Sequence, residues 1–244
     1  MEIVNKLSDI KNLKKILFVI TGSLILAISS KIQTPFSPVP ATMQTFAVVL
    51  LGMILGTKLA TITVVLYLFE GLIGLPVFAK GGGAIYFAGP TSGYLFGFIF
   101  GAFIAGYIKS SNGFSKNFSY LILSIASMYL FGLIWLWLFI GLDKSFIEIF
   151  ALGAKPFLLI EFYKILILIF ASKFLLNLRN FIKIWELGQS EYCMYNKVEK
   201  HKLINHARIC IFSRACMYLR AWLDISTIVL TIVQIFYTLV HNNR

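Results

Sequence analysis

Two oppositely charged residues, Glu161 and Lys164, stand three positions apart in an otherwise apolar stretch. Residues three apart lie on one face of a helix, so this carboxylate and this ammonium can meet. Ionisable groups inside the membrane cost about 2.5–3.5 kcal/mol each on insertion scales and are candidates for function. The pair can accept from an N–H and donate to a carbonyl of one ligand, or it can be a structural ion pair between packed helices. Spacing alone leaves both alternatives open.

A third carboxylate, Glu70, lies near the end of another apolar stretch and is followed by Gly71. It can extend toward the membrane surface, cap the glycine-rich segment after it, or contact a ligand. Phe78, Tyr94 and Trp135 have apolar bodies, and the latter two have polar tips, so they are candidates for the walls of a pocket. Each of them can equally be a packing residue.

Small residues recur at intervals of four in two of the apolar stretches. Ser23 and Ala27 form one such pair, which allows another helix to approach closely, either from a partner protein or within the same bundle. The fourth stretch repeats glycine at the same interval, and there we expect packing within the bundle; the glycines are Gly93, Gly97 and Gly101.

Sequence patterns of common enzymes are absent from the chain. It contains no GxxxxGK[ST] phosphate loop, no HExxH and no GxSxG, and no histidine precedes His201. Cys193, Cys210 and Cys216 are not spaced as a CxxC pair or a zinc knuckle. We therefore expect a protein that is not an enzyme and that holds no metal and no cofactor.

The elements that must position these residues are membrane spans. The 244 residues are 59% hydrophobic and 13% charged, with a mean hydropathy of +0.84, which is far more apolar than an average soluble domain. About 20 apolar residues cross the hydrocarbon core as a helix. Six candidate spans precede residue 180, and the second and third are joined at Gly56; they are residues 13–30, 42–55, 59–73, 91–108, 119–140 and 156–176.

Basic residues predict the orientation, because cytoplasmic loops are rich in lysine and arginine. With a cytoplasmic N-terminus, ten basic residues lie in cytoplasmic gaps and four in outer gaps. Most of the net charge of +12 lies in short gaps and not in one exposed stripe, so we do not expect nucleic-acid binding. The outer gaps at residues 32–41 and 75–90 are rich in proline and glycine, and they are either walls of a pocket open to the exterior or ordinary connectors.

Residue usage changes after residue 178. All arginines, histidines and cysteines of the chain lie between residues 179 and 244. We interpret residues 1–178 as the working membrane unit and residues 179–244 as a basic C-terminal extension with a candidate seventh apolar helix at 222–240. Truncation after residue 178 is expected to leave ligand binding intact.

Three segments, in this order, resemble the BioY family, the biotin-binding S component of energy-coupling factor (ECF) transporters. They are PFSPVPATMQT at residues 35–45, GLIGLPVFA at residues 71–79 and GPTSGYL at residues 89–95. A weaker match joins Pro156 and Phe157 to residues 161–164. The resemblance implies an all-α integral membrane protein, a six-helix bundle of the ECF S-component type.

The resemblance also implies a function. Biotin is bound from the outside, with Glu161 and Lys164 at its ureido ring, although the family often has aspartate where Glu161 stands. The other candidate binding residues are Gln44, Phe78, Thr91, Tyr94 and Trp135. A transmembrane coupling subunit, which docks near Ser23 and Ala27, and two ATPase subunits then deliver biotin inward across the cytoplasmic membrane of a bacterium.

Three other functions stay open at this point. The chain can be a self-sufficient, proton-coupled transporter in which Glu161 or Glu70 carries the proton. It can be an S component for a different vitamin, because related bundles bind other vitamins. It can also be a structural membrane protein without a small ligand. Thermal stabilisation of the purified chain by biotin would exclude this last alternative.

Overall fold

A computed structural model of the chain describes residues 2–34, 39, 41–141 and 144–187. The extension from residue 188 onward, with its candidate helix at 222–240 and with the cysteines and histidines, lies outside the described residues. So does most of the proline-rich segment 35–40.

Helices make up nearly all of the described structure. Five of them are long, and shorter pieces connect them. In chain order, the described elements are α1 (Glu2–Lys31), β1 (Gln33–Thr34), β2 (Ala41–Thr42), α2 (Gln44–Leu72), α3 (Ala84–Phe87), α4 (Ser92–Ala105), α5 (Phe114–Ile140), α6 (Phe146–Gly153), a 3₁₀ turn (Lys155–Phe157) and α7 (Leu158–Leu187). β1 and β2 pair antiparallel across the proline-rich segment, where no strands were predicted from the sequence.

Helix α2 is broken near its middle by Gly56. The φ and ψ angles of this residue are 81° and 175°, a conformation that glycine adopts readily and other residues rarely do. The break lies at the predicted junction between the second and third spans. With the two halves of α2 counted separately, the described residues contain the six predicted helices, and the six-helix prediction is confirmed.

Within the described part of the chain, three helices are long and apolar enough to cross a bilayer, and they cover Asn12–Lys31, Gln44–Leu72 and Phe114–Ile140. Helix α4 is equally apolar but shorter. Large apolar side chains cover the outer surface of the bundle; Ile28, for example, is 66% exposed. Such a surface is stable in lipid and costly in water, as expected for a membrane protein.

Glycines set how closely the helices of the bundle approach each other. A Cβ atom built on Gly97 would lie 2.8 Å from backbone atoms of Met128 in α5, and one built on Gly101 would overlap the Met128 side chain. The expected internal role of the glycine repeat in α4 is therefore confirmed. Helix α2 is central, since it packs against α1, α4 and α7.

Helix α7 continues without interruption across residue 178, where sequence analysis placed the end of the working unit. Arg179 is 7% exposed, and its Nη1 donates to the carbonyls of Gly106 (3.1 Å) and Ile108 (2.6 Å) beyond the end of α4. Its guanidinium also lies over Gly56. Arg179 thus joins α7 to α4 and to the break in α2.

Candidate functional site

Glu161 and Lys164 form an ion pair in the first turns of α7. The distance from Lys164 Nζ to Glu161 Oε1 is 2.8 Å, and the residues are 3% and 6% exposed, respectively. Helix α7 begins directly after the 3₁₀ turn, so the spacing of three places both side chains on the face that packs against α2. The contact predicted from spacing is therefore present.

Every N–H of the Lys164 ammonium has an acceptor within the protein. The acceptors are Thr42 O at 2.7 Å, Thr45 Oγ1 at 2.8 Å and Glu161 Oε1 at 2.8 Å. An ammonium has three donors and no acceptor. Lys164 therefore joins α7 to the start of α2, and donation to a ligand requires that it release one of these acceptors.

The two oxygens of Glu161 differ in their surroundings. Oε1 accepts from Lys164, from Thr45 Oγ1 at 2.8 Å and from Tyr129 Oη at 3.2 Å. Oε2 is buried and has no hydrogen-bond partner among the described residues. A buried carboxylate oxygen without a partner is costly. Oε2 thus has an unused capacity to accept a hydrogen bond.

Glu161 belongs to the wall of a cavity at the end of the bundle where α1 ends and α4 begins. The space measures about 490 Å³ with its open mouth included. The lining is mainly apolar and aromatic with a few polar groups, as is usual for small-molecule sites. The lining residues are Val39, Ala41, Thr42, Gln44, Thr45, Ala79, Tyr86, Thr91, Tyr94, Leu95, Phe98, Tyr129, Phe157 and Glu161.

The cavity brings together four of the predicted binding residues: Gln44, Thr91, Tyr94 and Glu161. The Gln44 amide donates through Nε2 to Tyr67 Oη, and this bond within α2 fixes the Gln44 side chain. The Tyr94 hydroxyl donates to the carbonyl of Gly153 at 2.8 Å, so α6 holds this ring in place.

Three other predicted binding residues do not line the cavity. Lys164 lies behind Glu161, as described above. Phe78 is fully buried against Gly71 and stacks on Tyr86, so it supports the wall from behind. Trp135 lies in a separate apolar groove between α4 and α5, although its Nε1 donates to the carbonyl of Gly89 at 2.9 Å.

The small-residue pair of α1 is only partly exposed. Ser23 is 1% exposed, and its hydroxyl contacts Ile20 O at 3.0 Å and Glu70 Oε1 at 2.9 Å. Ala27 is half-buried. Ser23 thus packs within the bundle in this structure, where it also holds the Glu70 carboxylate.

Four polar residues of the site were not predicted from the sequence: Thr42, Thr45, Tyr86 and Tyr129. Thr45 directly follows Gln44, so its position in the same segment was an available signal. Tyr129 is a polar residue within an apolar span, and its ring packs edge-to-face on Tyr94 with centroids 5.7 Å apart. Tyr86 lies in the short α3, and burial raises the pKa of its phenol above the ordinary value.

Comparison with known proteins gives consistent results. A model described as the BioY family matches residues 4–180. The chain is 34% identical over 139 residues to the "Probable biotin transporter BioY" of Pyrococcus horikoshii, and the alignment covers 57% of this chain and 81% of that protein. It is 48% identical over 83 residues to the "Biotin transporter BioY" of Thermotoga maritima, where it covers 34% of this chain and about half (49%) of the relative.

The fold is similar to a solved structure, described as the S-component for biotin from an ECF-type ABC transporter. The TM-score is 0.56 at 26% sequence identity, and the match covers 69% of this chain and 92% of that chain. The bundle is therefore of the ECF S-component type, and the protein is a multi-pass membrane protein. Since the family model matches well over half of the sequence, the chain belongs to the BioY family.

Proposed function

We propose that this chain takes up biotin as the substrate-binding component of an ECF-type transporter. It binds biotin in the cavity beside Glu161, and other chains supply the energy for delivery. The single observation that carries the proposal is a buried acceptor, Glu161 Oε2, which has no partner in the described structure and belongs to a residue that lines a mainly apolar cavity. The relatives named as biotin transporters and the similar biotin S-component support the choice of ligand.

The ureido ring of biotin fits this acceptor chemically. A cyclic urea has two N–H donors and one polarised carbonyl. One N–H can donate to Glu161 Oε2, and a charge-assisted bond of this kind is stronger when the site is sheltered from water. Lys164 orients the Glu161 carboxylate, and it can donate to the ureido carbonyl if it releases Thr42 O or Thr45 Oγ1.

The binding test compares biotin with thiamine and riboflavin on the purified chain in lipid nanodiscs. We expect binding of biotin alone, and we expect Lys164→Ala to weaken it by at least about 1.5 kcal/mol, or tenfold. The matched control is Lys116→Ala, which changes an exposed lysine near the start of α5. Binding of another vitamin with higher affinity would contradict the proposed ligand.

The proposed partners are a transmembrane coupling subunit and two ATPase subunits. The protein then resides in the cytoplasmic membrane of a bacterium with its N-terminus in the cytoplasm, as the distribution of basic residues predicts. Proteoliposomes that contain only this chain should accumulate no biotin, with or without a pH gradient. Accumulation that depends on the gradient would instead support a self-sufficient proton-coupled transporter.

A further inference from the structure

Residues 77–79, here called the strap, form a non-helical segment beside the cavity. The strap follows Pro76 and precedes Gly81, which has a φ of 127°. Its amides bond locally, since Val77 N donates to Leu75 O and Phe78 N donates to Gly81 O, both at 2.8 Å. Its carbonyls need other donors, because irregular backbone near membrane depth must be satisfied by the protein around it.

The end of α1 and the residue pair after it supply donors to all three strap carbonyls. Ser30 Oγ lies 2.7 Å from Val77 O and also 2.7 Å from Ala27 O of its own helix. Lys31 Nζ donates to Phe78 O at 2.7 Å, and Gln33 Nε2 donates to Ala79 O at 3.2 Å. Each of the three consecutive strap carbonyls therefore lies within hydrogen-bond distance of a donor side chain from residues 30–33. Ser30 is 0% exposed, so its contact is protected from water.

The strap is also part of the cavity wall. Ala79 lines the cavity directly. Phe78 is fully buried and stacks on Tyr86, another lining residue, with ring centroids 4.8 Å apart. Tyr67, which contacts Val77 O at 3.0 Å, also bonds the amide of Gln44, so the same carbonyl is linked to a third lining residue.

We propose that Ser30, Lys31 and Gln33 are positioning residues that fix the strap to the end of α1 and thereby control how long biotin stays in the cavity. This inference depends on the proposed function, because it concerns the lifetime of the biotin complex. Displacement of the end of α1 pulls the strap carbonyls with it, and the wall formed by Ala79 and Tyr86 loosens.

The test uses Ser30→Ala and the double variant Ser30→Ala/Lys31→Met, with Ser29→Ala as the matched control. Ser29 is also buried, and among the described residues its hydroxyl contacts Leu26 O of its own helix and no strap carbonyl. Biotin dissociation is measured on the full chain in nanodiscs. We expect Ser30→Ala to accelerate dissociation about 2- to 10-fold and the double variant to accelerate it further, with a much smaller change in association. Ser29→Ala should leave both rates unchanged.

Hydrogen exchange without biotin gives a second readout that does not depend on the ligand. Amides of residues 77–83 should exchange faster in Ser30→Ala, while those in the middle of α5 should not change. Unchanged dissociation in the double variant, or equal acceleration by Ser29→Ala, overturns the inference. If the unmodified chain fails to bind biotin, the proposed function is wrong. Hydrogen exchange then still tests the linkage of the strap to α1, and unchanged exchange of residues 77–83 in Ser30→Ala would overturn that linkage.

Discussion

Replacement of Glu161 by glutamine tests the proposed site at a single atom. Three donors converge on Oε1 at 2.8–3.2 Å, so the amide oxygen of the glutamine takes this position. The amide NH₂ then takes the position of Oε2, which has no partner among the described residues and belongs to a residue that lines the cavity. In the Glu161→Gln variant, a ureido N–H of bound biotin would meet the amide NH₂, a donor, in place of the proposed acceptor Oε2.

The size of the effect follows from the type of bond that is lost. Hydrogen bonds to charged groups contribute about 1.5–3 kcal/mol, so Glu161→Gln should weaken biotin binding about 10- to 150-fold. The same change removes the counter-charge of Lys164, which is 3% exposed. Breaking a buried ion pair costs about 3–5 kcal/mol of stability, so the variant should also melt at a lower temperature.

Affinity and stability must therefore be measured separately. Calorimetric titration with biotin gives the Kd at a temperature where the variant is folded, and thermal unfolding without biotin gives the stability. Glu161→Asp keeps the charge on a side chain one methylene shorter, and it should bind biotin more tightly than the glutamine variant does. Glu148→Gln changes an exposed carboxylate on α6 and serves as the control. A folded Glu161→Gln protein with an unchanged Kd for biotin would refute the assignment of Oε2 to the ligand.

Other predictions concern the bundle itself. Gly97→Ala places a Cβ 2.8 Å from the backbone of α5 and should lower the free energy of unfolding by about 1–3 kcal/mol. Gly113→Ala, where no described atom lies within 4 Å of the added Cβ, alters only the N-cap of α5 and should lower it less; thermal unfolding checks both. Arg179→Met leaves two carbonyls beyond α4 without their donor and should lower stability by about 1.5–3 kcal/mol, with biotin affinity retained. Truncation after residue 178 should likewise retain biotin binding but melt at a lower temperature than truncation after residue 187; loss of binding by a folded protein truncated after residue 178 would contradict this.

The parts of the site that could be predicted from the sequence are those that depend on local geometry. The contact between Glu161 and Lys164 follows from their spacing on one helix, and the break at Gly56 follows from a glycine between two short apolar stretches. Thr45 and Tyr129 reach the same carboxylate from α2 and α5. Their approach depends on how three helices pack, which hydrophobic periodicity does not specify.

Trp135 shows why helix rotation was hard to predict. In a soluble helix the apolar face is the buried face, but in α5 both the lipid-facing and the inward-facing positions are apolar. Ile134 is 46% exposed and Leu133 is 8% exposed, although their side chains are almost equally hydrophobic. Sequence pattern therefore could not distinguish a wall residue from one that faces a groove on the outer surface.

In a membrane bundle, buried polar atoms without partners indicate a binding site more clearly than apolar residues do. Among the described side chains, three buried polar atoms have no hydrogen-bond partner: Gln33 Oε1, Glu161 Oε2 and Arg179 Nε. Neither Gln33 nor Arg179 lines the cavity, whereas Glu161 does. An unpartnered acceptor inside a closed bundle is only a cost, but one at a cavity wall can be satisfied by a ligand that brings a donor. The place of Glu161 in the cavity wall, together with its unpartnered Oε2, therefore favours the hypothesis of a binding group over that of a structural ion pair.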